Sequence, residues 1–152
     1  MRIVGCFVLA SCVHAAPSAP APTRDARAVP SDAELARATA CERDTGEQRR
    51  MIARGDRQLR GTWQSKLDGN AAQLLWNLEM AWDAVVPLYV HGAAPFDDSQ
   101  LAQLREAGAI GSNFMLNAGT FVSIDAPLSR LACLGELEFV QRVAGHERMY
   151  PN

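Results

Sequence analysis

The chain has 152 residues and a formal net charge of −2, with 15 lysines and arginines against 17 aspartates and glutamates. The chain therefore lacks the basic composition that is typical of proteins that bind the phosphates of nucleic acids. None of its four cysteines stands in a Cys-x-x-Cys pair, which argues against a thiol redox enzyme.

The N-terminus carries the pattern of an export signal. Arg2 precedes an apolar run at residues 3–10, which is too short to span a bilayer but has the length of a signal-peptide core. The run ends in Leu-Ala-Ser-Cys, which resembles a bacterial lipobox and predicts that Cys12 is acylated and becomes the mature N-terminus. Residues 1–12 are therefore predicted to be a signal peptide. Cleavage after Ala15, giving a secreted protein, is the alternative.

Residues 13–30 form a linker that is rich in alanine and proline. This composition buries too little apolar area to offset its ordering entropy. We expect a semi-extended tether that holds the following domain away from the membrane, and a flexible end without a role is the alternative. Nothing later in the chain is long and apolar enough for a second membrane segment.

Residues 31–60 are predicted to be a charged helical segment. Ser31 and Glu34 have the spacing of a capping box, so a helix should begin there and run to near Cys41. Seven arginines lie between positions 37 and 60, with acidic residues interleaved among them. This mixture favours a solvated helical face with i,i+4 ion pairs over a surface that binds nucleic acid.

A further helix is predicted from residue 70 to residue 82. Its apolar positions fall on one stripe, formed by Leu74, Leu75, Leu78, Ala81 and Trp82. The simplest partner for that stripe is the unit that follows it, which gives one compact domain over residues 61–146. Trp63 and Trp76 are predicted to be packing residues.

The last third of the chain has the order strand, helix, strand, strand, helix, strand. The strands are predicted at residues 87–91, 109–116, 120–125 and 139–143, with a hairpin turn at 117–119. The third strand alternates with period two, so Val122 and Ile124 should be buried. This order specifies an α+β fold, a split βαβ sandwich.

The two helices of this unit carry their own end signals. Asp97 and Gln100 form a capping box, and Phe96 and Leu101 are placed as a hydrophobic staple. Gly108 stands where a left-handed helix C-terminus is expected. The second helix should begin at a proline and bury one leucine face, formed by Pro127, Leu128, Leu131 and Leu134.

Three runs of this unit, at residues 103–109, 121–131 and 134–143, resemble the subtilisin-type propeptide and protease-inhibitor family. They share a helix that ends in Ala-Gly before a hairpin, an apolar strand that leads into Pro-Leu, and a Leu-rich helix before a Val-x-x-Val strand. The likeness covers about 60 of the 152 residues. It implies a ferredoxin-like sandwich preceded by the helical N-terminal segment.

The resemblance also implies a function that needs no catalytic side chain. In that family the open face of the sheet packs on surface helices of the protease, and the C-terminal tail lies in the substrate cleft. Strand alternation sends Tyr89 and Phe121 to the face opposite the helices, where they would form a docking platform. The expected partner is a subtilisin-like protease.

The tail at residues 147–152 would supply the remaining contacts, through Met149, Tyr150, Pro151 and Asn152. Either Tyr150 or Asn152 would enter the primary specificity pocket. Entry of Tyr150 is preferred, because transfer of a large ring from water to an apolar pocket is more favourable than transfer of an amide group. A frayed terminus without a role is the alternative.

Two cysteines remain once the signal peptide and the lipid site are set aside. Cys41 and Cys133 would lie in an oxidising compartment, where a bridge between them would close a loop of about ninety residues. The early helix need not dock near the second helix of the sandwich, however, so two separate buried thiols are the alternative.

Motifs for catalysis and metal binding are weak. Asp44-Thr45-Gly46 has the letters of a protease aspartate, but charged neighbours replace the apolar strand that such an aspartate needs. No nucleophile elbow accompanies His91, and neither it nor His146 stands at metal-ligand spacing. We therefore expect no enzyme activity, no metal and no cofactor.

Three functional hypotheses follow. The first is an inhibitor or folding chaperone of a subtilisin-like protease, anchored by lipid on the periplasmic or outer side of a bacterial cell envelope, or secreted. The second is a non-catalytic envelope lipoprotein whose ferredoxin-like module serves a structural or protein-binding role. The third is an enzyme that uses His91 or His146 in an unrecognised site.

Overall fold

The structure is a computed structural model, and it describes residues 27–117 and 120–146. The predictions for the signal peptide, for Cys12 and for most of the linker lie outside these residues. The predicted tail contacts, those of Met149, Tyr150, Pro151 and Asn152, lie outside them as well.

The described residues form an α+β fold, as predicted, with five α-helices and a four-stranded sheet. The helices are α1 (Asp32–Arg37), α2 (Ala40–Ala53), α3 (Gly69–Trp76), α4 (Asp98–Glu106) and α5 (Leu131–Glu136). The strands are β1 (Val85–Gly92), β2 (Ile110–Asn117), β3 (Phe121–Pro127) and β4 (Val140–Gly145). Short 3-10 turns cover Gln64–Lys66 and Leu128–Arg130.

The strand order across the sheet is β2-β3-β1-β4, and each neighbouring pair is antiparallel. The two central strands, β1 and β3, pair from Val85 opposite Pro127 to His91 opposite Phe121. Helix α4 connects β1 to β2, and α5 connects β3 to β4. Each of these helices therefore joins two strands that are separated by a third.

The core lies on one face of the sheet. Alternate residues of the central strands are buried there, and the list is Val86, Leu88, Val90, Val122, Ile124 and Ala126. The three leucines predicted to form one helical face, Leu128, Leu131 and Leu134, are fully buried against the same cluster. The predicted burial of the third strand is therefore confirmed.

The capping box and the C-terminal glycine predicted for α4 are confirmed. The Asp97 carboxylate accepts a hydrogen bond from the backbone N–H of Gln100 at 2.8 Å, and the Gln100 side chain accepts one from the Asp97 N–H at 3.2 Å. Gly108 has φ +113°, and a Cβ at that position would lie 2.6 Å from Cγ of Arg130. Glycine is therefore required at this position both by the positive φ and by the close approach of the Arg130 side chain.

The predicted start of the last helix is wrong. Pro127 is the final residue of β3, with an extended backbone at φ −61° and ψ 139°, and it pairs with Val85. A 3-10 turn follows it, and α5 begins only at Leu131. The ladder between β1 and β3 extends to this proline because the end of a strand tolerates a residue without an N–H.

The helix predicted at residues 70–82 ends early, at Trp76. Asn77 takes an extended backbone, and its side chain accepts a hydrogen bond from the N–H of Glu79 at 3.1 Å. Trp76 and Leu78 are each 37% exposed, so the packing predicted for them is wrong. Trp63 is buried as predicted.

The helical segment at residues 31–60 belongs to the same core as the sheet. Its capping box at Ser31 is confirmed, but the helix ends at Arg37 and a second one, α2, begins at Ala40. Ile52 of α2 lies in the core cluster. Residues on both sides of position 61 therefore contribute to one core.

Two contacts attach α2 to α5. The buried hydroxyl of Thr45 accepts a hydrogen bond from the N–H of Ala132 at 3.1 Å, in the first turn of a helix that has no side-chain cap of its own. Cys41 and Cys133 form a disulfide, which decides between the two alternatives for these residues. The early helix does dock beside the second helix of the sandwich.

One arginine of the charged segment contradicts the prediction of a solvated face. The Arg49 side chain is fully buried, and it donates hydrogen bonds to five backbone carbonyl groups. The acceptors are the carbonyl oxygens of Ala28, Leu74, Leu75, Asn77 and Met80. The hydrogen bonds to the first four of these measure 2.9–3.1 Å. Burial lowers the pKa of Arg49 to about 10, so the guanidinium stays charged at neutral pH.

We predict that Arg49→Met destabilises the protein by about 3 kcal/mol or more, because five backbone carbonyl groups at buried or partly buried positions would lose their donor. Arg43→Met on the exposed side of the same helix is the matched control, with an expected change within about 0.5 kcal/mol. Urea unfolding of the three proteins measures both effects. Equal midpoints for the two variants would contradict the structural role of Arg49.

We predict that loss of the disulfide costs about 4 kcal/mol of stability, because the bridge spans 92 residues and restricts the unfolded chain. The double variant Cys41→Ala, Cys133→Ala should unfold at the same urea concentration with and without dithiothreitol. The unsubstituted protein should fall to that midpoint only in dithiothreitol. A midpoint of the unsubstituted protein that does not respond to the reductant would rule the bridge out.

Candidate functional site

The sheet has a second face, which points away from the core. We call it the open face, and its described members on the central strands include Val85, Pro87, Tyr89, His91, Phe121, Ser123 and Asp125. All seven are half-buried or exposed, and none belongs to the core cluster. The helices that contribute to the core cluster lie on the other side of the sheet.

Four rings form a continuous row on the open face. Tyr89 contacts Phe121 edge to face, with ring centroids 6.0 Å apart. His91 stacks on Phe121 at 5.4 Å, and His146 stacks on Tyr89 at 5.3 Å. We call these four residues the aromatic row. It crosses β3, β1 and the end of β4.

Backbone pairing positions the row. His91 lies directly opposite Phe121, and Tyr89 lies opposite Ser123, so Tyr89 and Phe121 are diagonal neighbours. Diagonal neighbours on one face of an antiparallel pair are within reach of aromatic side chains. The placement of Tyr89 and Phe121 opposite the helices agrees with the sequence prediction.

The two histidines of the row were not predicted to lie there. His91 stands two residues after Tyr89 on β1, so strand alternation alone could have placed it on the same face. His146 stands two residues after Ala144, which pairs with Tyr89, so the register between β1 and β4 was needed to place it.

Two aliphatic side chains extend the apolar part of this face. Val85 is 57% exposed and Ile110 is 49% exposed, and both are among the large apolar residues found exposed in the described part of the chain. Val85 is on the same face of β1 as Pro87 and Tyr89, because alternate residues of a strand share a face. Ile110 of β2 pairs with Asp125, which belongs to the open face. Exposed apolar side chains that share a face with aromatic rings are typical of interaction surfaces.

Asp68 shapes the rim of the open face at its β4 end. Its carboxylate accepts hydrogen bonds from the N–H groups of Ala71 at 2.7 Å and Gly145 at 3.1 Å, and it forms an ion pair with Arg142 at 3.5 Å. It therefore joins the start of α3 to the end of β4. A cleft of about 240 Å³ lies beside it, and Tyr89 and His146 line that cleft.

The open face is suited to binding rather than to metal chemistry. Within residues 27–117 and 120–146, no three His, Cys, Asp or Glu side chains are placed to hold a metal ion. His91 and His146 stand at opposite ends of the aromatic row, with two other rings between them. What the face offers is ring surface for stacking and apolar burial.

Two observations bear on where the protein resides. The Cys41–Cys133 disulfide is consistent with an extracytoplasmic protein, because such bridges form and persist in oxidising compartments. Of the helices in the described ranges, none has the length and apolar character needed to cross a membrane.

The chain was also compared with known proteins. No protein-family model matches it, and neither the curated proteins nor the solved structures contain a match.

Proposed function

We propose that the protein is an exported, lipid-anchored and non-catalytic domain that docks on a subtilisin-like protease through the open face, as an inhibitor or a folding chaperone. The observation that carries this proposal is the aromatic row, which lies on the face that the core helices leave uncovered. The resemblance to subtilisin-type propeptides indicates the class of partner.

The sheet topology supports the proposal. Counted from its other edge, the strand order is β4-β1-β3-β2, and α4 and α5 each connect strands that are not neighbours. We propose that this arrangement is a ferredoxin-like sandwich. A sandwich of this kind has helices on one face only, so its other face is available to a partner.

The open face would bind mainly through side chains. The central strands β1 and β3 are paired on both sides, so their backbone groups are already used by the sheet. Tyr89 and Phe121 are already half-buried, so burying the rest of each ring would supply less than the roughly 3 kcal/mol of a fully buried apolar side chain. Asp125 and Arg142 would supply polar contacts at the edges of that apolar centre.

The tail would provide a second contact with the same partner. Residue 147 follows directly on His146, which forms one end of the aromatic row. A protease that sits on the row would therefore meet Met149 and Tyr150 at high effective concentration. In this proposal the open face supplies most of the affinity, and the tail blocks the substrate cleft.

The helical layer favours a second candidate, a structural or protein-binding module of the cell envelope. Helices α1 to α3 lie outside the stretch that resembles propeptides, and the disulfide and Arg49 build them into the same domain. Such a module would use the aromatic row for docking and would not need the tail.

We predict that Tyr89→Ala and Phe121→Ala each weaken inhibition of a responsive subtilisin at least tenfold, or about 1.4 kcal/mol. The reason is that each removes a ring from the centre of the docking face. Residual peptidase activity measured across a panel of subtilisins gives the inhibition constants. Trp76→Ala removes an exposed ring from α3 and is the matched control, with no expected change. Equal effects of all three variants would count against the open face.

We predict that deletion of residues 149–152 weakens inhibition at least tenfold and leaves the thermal transition unchanged. The same assay measures this effect. If the deletion has no effect while Tyr89→Ala does, the open face inhibits without the tail, and the proposed role of the tail is wrong. If the unsubstituted protein neither inhibits nor assists any subtilisin of the panel, the protease proposal is wrong.

A further inference from the structure

A cleft of about 350 Å³ lies on the helical side of the molecule, away from the open face. Helix α2 forms one wall, the segment from Gly61 to Gln64 forms another, and the last residue of α5, Glu136, closes it. Asp44 and Glu47 of α2 also line it. The cleft therefore has three carboxyl groups from two helices that are held together by Thr45 and the disulfide.

Asp44 and Glu136 interact directly. Partial burial raises the pKa of Glu136, and the charge of the Asp44 carboxylate and hydrogen bonding to it act in the same direction. A bound cation would favour the charged form of the Glu136 carboxyl group and would lower its pKa again.

Gln64 adds an acceptor that has no donor. Only 8% of this residue is exposed, and its Oε1 finds no hydrogen-bond partner among the described residues. Its Nε2 donates to Oε1 of Gln48 at 3.4 Å. A buried carbonyl oxygen without a partner is unfavourable, and a donor from a ligand would satisfy it.

The basic groups near the cleft are engaged elsewhere. Arg60 also lines it, but its guanidinium donates to Oε1 of Gln58 at 3.0 Å and pairs with Asp56 at 3.6 Å. Glu47 pairs with Arg50 at 3.5 Å. Within residues 27–117 and 120–146, no cation forms a salt bridge with Asp44 or Glu136.

We propose that this cleft binds a guanidinium or primary ammonium group, with Asp44 and Glu136 as its anionic partners and Gln64 Oε1 as its neutral acceptor. Three carboxyl groups and the unpartnered Oε1 of Gln64 are acceptors at this cleft, and a guanidinium offers five N–H donors in one plane. No three His, Cys, Asp or Glu side chains of the described residues are placed to hold one metal ion, so the carboxyl groups of this cleft suit an organic cation better than a metal ion. The cation belongs either to a basic side chain of a polypeptide or to a small free amine.

The test is a titration of the full chain, followed by chemical-shift changes, with three probes. Agmatine represents a free amine, N-acetylarginine amide represents a peptide side chain, and N-acetylcitrulline amide is the neutral isostere. We expect saturable binding of both guanidinium probes and at least tenfold weaker binding of the citrulline compound. Whichever guanidinium probe binds more tightly identifies the source of the cation. Equal binding of the citrulline compound would overturn the proposal.

Two substitutions test the assigned residues. Glu136→Gln should weaken agmatine binding at least tenfold, and its thermal transition should stay equal or rise, because a repulsive charge beside Asp44 is removed. Glu138→Gln changes an exposed acid outside this cleft and should leave binding within twofold. Unchanged binding in both Glu136→Gln and Asp44→Asn would overturn the site, whatever the result of the protease assays.

Discussion

The buried guanidinium of Arg49 is the interaction on which the helical layer depends. It joins α2 to the C-terminal carbonyl groups of α3, to the turn that follows, and to the chain before α1 at Ala28. A helix of eight residues, such as α3, has little stability alone, and the negative end of its dipole is satisfied here by a fixed positive charge. Because α3 packs against β4 at Gly145, the same charge also helps to hold the helical layer on the sheet.

The composition of the two sheet faces follows from which alternate residues of β1 are buried. Once Val86, Leu88 and Val90 point into the core, the pleat of β1 sends Tyr89 and His91 outward. The ladder with β3 then brings Phe121 between the rings of these two residues. The core therefore determines where the aromatic row lies, whereas the identity of its side chains is not required by the core. That freedom is why we connect the row with docking.

The proposed cation cleft lies at the joint between α2 and α5. Asp44 is next to Thr45, whose hydroxyl accepts the hydrogen bond from the start of α5, and Glu136 is the last residue of that helix. The cleft forms where these two helices meet the segment from Gly61 to Gln64. The docking face and the cleft are on opposite sides of the sheet, so either proposal can fail without the other.

Local signals in the sequence determined the capping boxes at Ser31 and Asp97 and the buried face of β3, because each depends on residues only a few positions apart. Alternation likewise placed Tyr89 and Phe121 on the open face. Only the tertiary structure decided the burial of Arg49, because its acceptors in α3 and the turn after it lie 25 to 31 residues away and no local charge pattern contains them. The same holds for the Cys41–Cys133 pair and for the place of His146 in the row, which depend on how α2 docks on α5 and on the register between β1 and β4.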